Sequence, residues 1–392
     1  MSQSSIRVAV IGAGMAGRAH AGGYRTASTL FDNDLPPVRL VAVADTNEAF
    51  AVDAAKRYGF DRAETSWQSI AEADDVDAVS VVVANALHRE IVEGLLSAGK
   101  HVLCEKPLAP SVADAKSMAA AAEQSDSVAA VGFTFRRSPA MNAIREQVLD
   151  GGVGRVTHFN GHYWCDYGFN PAAPMSWRYK GRPGSGALAD IGSHVVDVGE
   201  FFCGPVESVH GAMLSTAITE RPLPVGVAMG HAVTEVSETR EPVENDDIAT
   251  FTASFEGGAV GTFSVSRIAY GFPNGLGFEL FGESGAAVFD LARQSEFLVA
   301  DQSSPAASGG FRQVLVGPQH PYVKGGMPMD FPGVGYGQND LFNYQARAFL
   351  NQIAGIKGLP PCPTIADGLH NLRVLEAAAL SAEADGRSVL VE

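Results

Sequence analysis

The chain has 392 residues, enough for two or three domains at roughly 150 residues each. Apolar residues make up 46% and charged residues 18%, which excludes wholesale disorder and coiled coil. Acidic residues outnumber basic ones by 44 to 28, a formal charge of -16, and such a surface repels nucleic-acid phosphates and anionic lipid. The expected partner is therefore a small molecule, with no nucleic acid and no membrane.

In chain order, Ile6–Ile11 is a near-continuous apolar run, the mark of a parallel strand covered on both faces. Glycines follow it, then helical spacing from about Met15. Further strands are expected at Arg39–Ala44, Ala78–Val83, His101–Cys104 and Val128–Phe133, with helices at Thr46–Tyr58, His88–Ala98 and Ser111–Gln124 between them. Strands alternating with crossover helices make right-handed βαβ units, so residues 1–135 read as a Rossmann domain, a doubly wound parallel sheet in the α/β class.

After about Phe135 the pattern changes. A helix (Pro139–Leu149) and a turn (Asp150–Gly154) lead into Val156–Trp164, Val206–Thr216, Asp247–Phe255, Ala259–Arg267, Phe278–Gly282 and Ala286–Leu291. These segments alternate apolar and polar residues, as in an antiparallel sheet wet on one face. Ala300–Gly337 is rich in Gly, Pro and Ser and reads as long loops; helices at Leu341–Ile353 and Ile365–Ala384 close the chain. Residues 136–392 thus read as an α+β domain with a large, mainly antiparallel open sheet, for substrate binding and oligomerisation. Its apolar sheet face makes a homo-dimer or homo-tetramer the expected state.

The four cysteines, Cys104, Cys165, Cys203 and Cys362, include no CxxC pair and read as small buried hydrophobes. No apolar stretch approaches the ~20 residues of a membrane helix. The N-terminal MSQSSIRVAVIGAG reads as a first strand rather than a signal peptide, so a cytoplasmic location is expected.

Gly12, Ala13, Gly14, Met15 and Ala16, completed by Gly17, follow the first strand and open a helix. Gly12 permits a tight turn, Gly14 lets backbone N–H groups approach a pyrophosphate, and Gly17 allows close helix–strand packing. Asp45 ends the second strand, where a carboxylate accepts hydrogen bonds from the adenosine ribose and repels a 2′-phosphate. The insertion Phe31–Pro37 explains its long offset from the glycines, and NAD is the expected cofactor over NADP. Asp45 is also a candidate N-cap for the next helix.

Two clusters offer chemistry. Lys106, within Glu105-Lys106-Pro107, sits just after the fourth strand, at the carboxyl edge where such sheets bind ligands; a plain surface lysine fits the same position. Asp190 and His194 stand four apart on one helical face that Asp197 continues. A histidine accepts protons near neutral pH and a carboxylate stabilises its protonated form; a solvated ion pair is the alternative, and no further His or Cys stands at metal-ligand spacing. Tyr163, Trp164, Asp166 and Tyr167 mix aromatic faces with a carboxylate, as sugar binding requires, or pack the sheet. The stretch Gly335–Asn339, with Tyr336, reads as a loop able to close a pocket.

The combination of GAGMAG, Asn85-Ala-Leu-His88, AGKHVLCEKPL (from Ala98), Trp177-Arg178 and Gly186…Asp190…His194 resembles the Gfo/Idh/MocA oxidoreductase family, in order along nearly the whole chain. The resemblance implies a catalytic group of Lys106, Asp190 and His194. His194 would take the hydroxyl proton, Lys106 would bind that hydroxyl and steady the alkoxide, and Asp190 would orient the sugar. It further implies that Val83, Ala84, Asn85, His88, Glu105 and Lys106 line the cofactor cleft and that Trp177 and Arg178 approach its nicotinamide half. Val83-Ala84-Asn85 replaces the family's common Thr-Pro-Asn, which puts that turn in question. The implied reaction is NAD-linked oxidation of a secondary ring hydroxyl of a cyclic sugar, foremost C3 of levoglucosan or a related pyranoside. An inositol 2-dehydrogenase, an NAD-dependent glycosidase working through transient C3 oxidation and a non-catalytic sugar sensor are the alternatives.

Overall fold

Burial on both faces is what the apolar run Ile6–Ile11 requires, and it obtains it as strand β1, flanked by parallel strands on either side. The computed structural model describes residues 5–32, 35–226, 235–302 and 308–392. Residues 1–4 of the N-terminal stretch, Asn33 and Asp34 of the insertion and 303–307 of the expected loop segment lie outside the described residues.

The N-terminal elements are β1 (Ile6–Ile11), α1 (Met15–Ala27), β2 (Val38–Ala44), α2 (Glu48–Tyr58), β3 (Arg62–Glu64), α3 (Trp67–Ala71), β4 (Ala78–Val81), α4 (His88–Ser97), β5 (His101–Cys104), α5 (Val112–Glu123) and β6 (Ala129–Val131). All six strands are parallel, in the order β3-β2-β1-β4-β5-β6. The order reverses between β1 and β4, so the ligand crevice of this sheet falls outside the carboxyl ends of those two strands.

The second sheet has nine strands and begins after helix α6 (Pro139–Leu149) with β7 (Val156–Trp164). Helix α7 (Ser193–Cys203) precedes β8 (Val206–Ser215), a separate hairpin of β9 (Glu220–Pro224) and β10 (Val236–Pro242), then β11 (Ile248–Phe255), β12 (Val260–Ser266), β13 (Gly275–Gly282), β14 (Gly285–Asp290), β15 (Glu296–Asp301) and β16 (Arg312–Leu315). Every strand pair in the large sheet is antiparallel except β7 with β12. The alternation seen in the sequence sorts the faces: Phe251, Ala253, Phe255, Phe263 and Val265 point to the core, while Thr250, Thr252, Thr262 and Ser264 lie on the outer face. Phe159, Phe263 and Phe278 stack across the inner face beneath α7.

The expected long loop over Ala300–Gly337 needs correction, because it contains the end of β15 and the whole of β16. β16 is an edge strand exposed on both sides, so no alternation announces it. The β9–β10 hairpin escapes for the same reason, being polar on both faces along β10.

Helices α8 (Gln338–Ala354) and α9 (Ile365–Glu383) follow, and β17 (Val389–Leu390) joins the sheet beside β8. α8 packs on α1. A Cβ at Gly23 would lie 2.8 Å from the Phe342 carbonyl oxygen, and the Arg347 guanidinium donates to the carbonyls of Ala27, at 2.7 Å, and Leu30. The chain accordingly forms two compact units, Met1–Ser138 with Gly317–Leu369, and Pro139–Val316 with His370–Glu392. A single boundary between 135 and 136 misses this return, since nothing local in α8 tells which sheet it will cover. No helix among the described residues is long and apolar enough to cross a membrane.

Candidate active site

In the first unit the glycine loop crosses the carboxyl end of β1. Gly12 has φ +104°, and a Cβ there would lie 2.0 Å from the Val82 carbonyl oxygen; one at Gly17 would lie 1.8 Å from the Gly12 oxygen. These two glycines close the loop. Gly14 is different: a Cβ would meet nothing within 4 Å, and as the N-cap of α1 it brings no side chain to the first turn, which holds no acidic residue. Gly14, Met15 and Ala16 thus present uncapped amides to open space, a cradle that fits the pyrophosphate of a dinucleotide. Ala13 is buried and its N–H already donates to Asp45 Oδ2 at 2.8 Å, so it shapes the loop.

Asp45 is thereby placed at the cradle's edge. Its Oδ1 accepts from the Asn47 N–H at 2.8 Å, and Asn47, not Asp45, caps α2 by accepting from the amides of Ala49 and Phe50. Each carboxylate oxygen keeps a lone pair for a ribose hydroxyl. Val83, Ala84 and Asn85 are part-exposed at the carboxyl edge of β4. Ala84 has φ -62° and ψ 136°, within the range proline imposes, so the departure from Thr-Pro-Asn leaves the backbone of this turn intact.

Two of the expected cleft residues turn inward instead. His88 is 1% exposed, with Nδ1 3.1 Å from the Leu108 oxygen and Nε2 3.1 Å from the Val83 oxygen; it ties together the loops that follow β4 and β5. Burial depresses its imidazole, and the two carbonyls offset part of that. Glu105 is also buried, with Oε1 2.9 Å from His20 Nε2 and Oε2 accepting from the Lys106 N–H at 3.2 Å. Both residues hold the loops at the carboxyl edge of β4 and β5. Lys106 itself is part-exposed just beyond β5. Tyr336 is part-exposed before α8, and burial with the nearby Asp340 and Asp330 pushes its phenol up to about 12.

In the second unit Asp190 and His194 are both part-exposed at the start of one helical segment. Leu188–Gly192 is a π-helical turn running straight into α7, an irregularity that often marks a functional site. Asp197, one turn further on, is 2% exposed, because α7 is covered along most of its length. Tyr167 donates to Asp190 Oδ2 at 2.8 Å, and Arg178 Nε lies 3.8 Å from the same oxygen. Burial, reinforced by the Asp190 charge, pushes the Tyr167 phenol well up, so it stays a donor. The Tyr163 ring stands 5.9 Å from the His194 ring while its hydroxyl donates to Asn274 Oδ1 at 2.7 Å. Tyr163 is a wall beside His194 and not a free hydroxyl. Trp177 is 55% exposed, with the Arg178 guanidinium 4.5 Å over its ring.

Residues 6–133 match a family described as an oxidoreductase family with an NAD-binding Rossmann fold, and residues 141–288 match the GFO/IDH/MocA C-terminal domain. Levoglucosan dehydrogenase of Pseudarthrobacter phenanthrenivorans is 37% identical over 96% of this chain and 96% of that protein. The chain belongs to the Gfo/Idh/MocA oxidoreductase family. A solved levoglucosan dehydrogenase in complex with NADH and levoglucosan superposes with TM-score 0.90 at 34% identity, covering 99% of this chain and all of the other. D-glucoside 3-dehydrogenase of Escherichia coli is 33% identical over 52% of this chain and 56% of its own length. NAD is the cofactor of this Gfo/Idh/MocA member, and the uncapped Gly14 end of α1 with Asp45 beside it is where the chain would hold it.

The largest omission of the sequence reading is Asn245-Asp246-Asp247, a wholly buried polar run. Asp246 Oδ1 accepts from the amides of Gly184 (2.8 Å) and Gly186 (3.1 Å), and Oδ2 from that of Leu188 (2.8 Å), capping the helical segment that carries Asp190 and His194. Asn245 donates to the carbonyls of Arg178 and Lys180, and Arg267, paired with Asp247 at 2.8 Å, donates to the Arg178 carbonyl as well. Nothing local marks this run, since the carbonyls Asn245 donates to and the amides Asp246 accepts from lie some sixty residues away and the partners of Asp247 twenty to thirty.

Proposed function

We propose that the chain oxidises a secondary ring hydroxyl of a cyclic sugar to the ketone, with NAD as acceptor, and that C3 of levoglucosan or a related pyranoside is the position attacked. The observation that carries this reading is the set around Asp190: a carboxylate held by Tyr167 and flanked by Arg178, four residues before His194. The likeness to levoglucosan dehydrogenase over almost the full chain supports the substrate class, and the D-glucoside 3-dehydrogenase likeness supports the carbon.

A sugar hydroxyl is a very weak acid, so its oxidation needs a base and a nearby positive charge. His194 takes the hydroxyl proton. Lys106 binds the same oxygen and steadies the negative charge that develops there. Asp190, with Tyr167 fixing its orientation, holds neighbouring hydroxyls, and Tyr163 bounds the His194 ring. When bound, NAD supplies the hydride acceptor: the carbinol carbon gives up a hydride, the hydroxyl gives up a proton, and ketone and reduced cofactor result. Gly14, Met15, Ala16 and Asp45 hold the dinucleotide, Val83–Asn85 shape the turn beside it, and Trp177 and Arg178 serve its nicotinamide half. Tyr336 contributes to substrate binding from its loop.

The enzyme works in the cytoplasm as a homo-dimer or homo-tetramer through the outer face of the nine-stranded sheet. Exposed Met213, Val260, Phe281 and Leu298 among threonines and serines on that face support this, and light scattering on the purified protein tests it.

Absorbance at 340 nm with NAD or NADP against levoglucosan, glucose, simple glucosides, myo-inositol and scyllo-inositol tests the reaction. NADH formed on levoglucosan or a glucoside, and lost in both Lys106→Ala and His194→Ala, is the expected result. Turnover of inositols alone, or aglycone release without net NADH, would replace it with one of the alternatives.

A further inference from the structure

Helix α1 buries a face made of Gly17, His20, Ala21, Gly23, Tyr24 and Ala27. Two of these residues, His20 and Tyr24, are polar, and they stand one turn apart against an apolar parallel sheet. Ser80, at the centre of β4 and fully buried, is the polar residue they meet. Polar groups in such an interface are costly unless each finds its partner.

Here they form a continuous line. Tyr24 Oη lies 2.8 Å from Ser80 Oγ, which lies 3.0 Å from His20 Nδ1; His20 Nε2 lies 2.9 Å from Glu105 Oε1. The other Glu105 oxygen, Oε2, accepts from the main-chain N–H of Lys106 at 3.2 Å. Burial pushes the Glu105 carboxyl up, but the hydrogen bond and charge of His20, then the positive charge and the amide of Lys106, outweigh it and hold the group below its ordinary value, ionised. An ionised carboxylate only accepts, so Nε2 of His20 is the donor. Burial pushes the Tyr24 phenol up as well, so it stays protonated beside the Ser80 hydroxyl. Room for the carboxylate comes from Gly132, where a Cβ would lie 2.5 Å from Oε1, and the edge of Phe342, 5.3 Å from the imidazole, confines the His20 ring.

An apolar pair would hold α1 on β4 equally well. What the polar line adds is a link whose far end is the backbone of Lys106. Within the line, His20 is six residues, ~9 Å of helix rise, from the Gly14 cradle. We propose that His20 is a positioning residue that couples dinucleotide binding at α1 to the placement of Lys106. This rests on the reading of Lys106 as the group that binds the reacting hydroxyl.

The test uses the full chain as wild type, His20→Phe and His20→Gln, whose side-chain amide can still donate to Glu105. NADH affinity is read by fluorescence, and deuterium exchange is read on the peptide spanning 103–109, with and without NADH. NADH should slow that exchange by about tenfold in wild type and His20→Gln but not in His20→Phe, although His20→Phe still binds NADH within about threefold. On the sugar that wild type turns over, kcat should fall roughly tenfold to hundredfold in His20→Phe with KM for the sugar within about twofold, and recover within about threefold in His20→Gln. Equal NADH-dependent protection in all three proteins overturns the proposal, as does an unchanged kcat in His20→Phe. Should His20→Phe fail to fold, His20→Leu, which likewise cannot donate to Glu105, takes its place with the same expectations. If wild type oxidises no sugar, the dehydrogenase reading fails, while the exchange measurement still decides the coupling.

Discussion

Tyr167 donates to Asp190 Oδ2 at 2.8 Å from a phenol that burial keeps protonated. The bond fixes the orientation of the carboxylate that stands four residues before His194. Tyr167→Phe removes it while preserving the ring. Losing one hydrogen bond to a charged group costs about 1.5–3 kcal/mol, so kcat/KM should drop roughly tenfold to hundredfold with little change in melting temperature. Steady-state kinetics on the preferred sugar decide it, and a drop below about twofold would remove Tyr167 from the site.

Asp45 receives the amides of Ala13 and Asn47, one on each oxygen. Asp45→Ala withdraws both and takes away the charge that opposes a 2′-phosphate. NADH should bind roughly tenfold to hundredfold more weakly, and the preference for NAD over NADP should narrow. Fluorescence titration with both cofactors is the measurement; an unchanged ratio would assign discrimination elsewhere.

Asp246 is 2% exposed and accepts three main-chain hydrogen bonds at the start of the segment carrying Asp190 and His194. Asp246→Ala leaves three buried amides without acceptors and should cost about 2–5 kcal/mol. Asp246→Asn, which retains one accepting oxygen, should cost less. Urea denaturation at fixed pH separates the two variants, and equal midpoints would sink the capping role.

His370 Nε2 lies 2.8 Å from Glu200 Oε1, and this partner raises the imidazole pKa, against smaller opposing effects of burial and Arg373. A raised pKa in the folded state means the stabilisation is fully present below the unfolded value of about 6.5 and is lost as pH rises through the folded value. His370→Gln should therefore be less stable than wild type by ~1 kcal/mol near pH 5.5 and indistinguishable from it near pH 9. Melting curves of both proteins across that window test the sign; a gap that widens with pH would reverse it.

Much of this was readable along the chain. The glycine loop, the alternation of β1 to β6 with helices, and the Asp190–His194 spacing each depend on residues within a turn or a strand of one another. Strands β16 and β10 were not readable, since strands exposed on both faces carry no alternation. The burial of His88 and Glu105 was not readable either, since their partners, the Leu108 carbonyl and His20, are brought to them only by the fold.

The Rossmann domain, the antiparallel sheet and the residue types available for hydride chemistry are written in local patterns, because periodicity and turn chemistry are local. Which polar residues support the site from behind depends on the path of the whole chain. His20 meets Glu105 across 85 positions, and Asp246 meets Gly184 across 62. Bonds of that span exist only once the chain's path is set, and burial then makes each of them costly to lose.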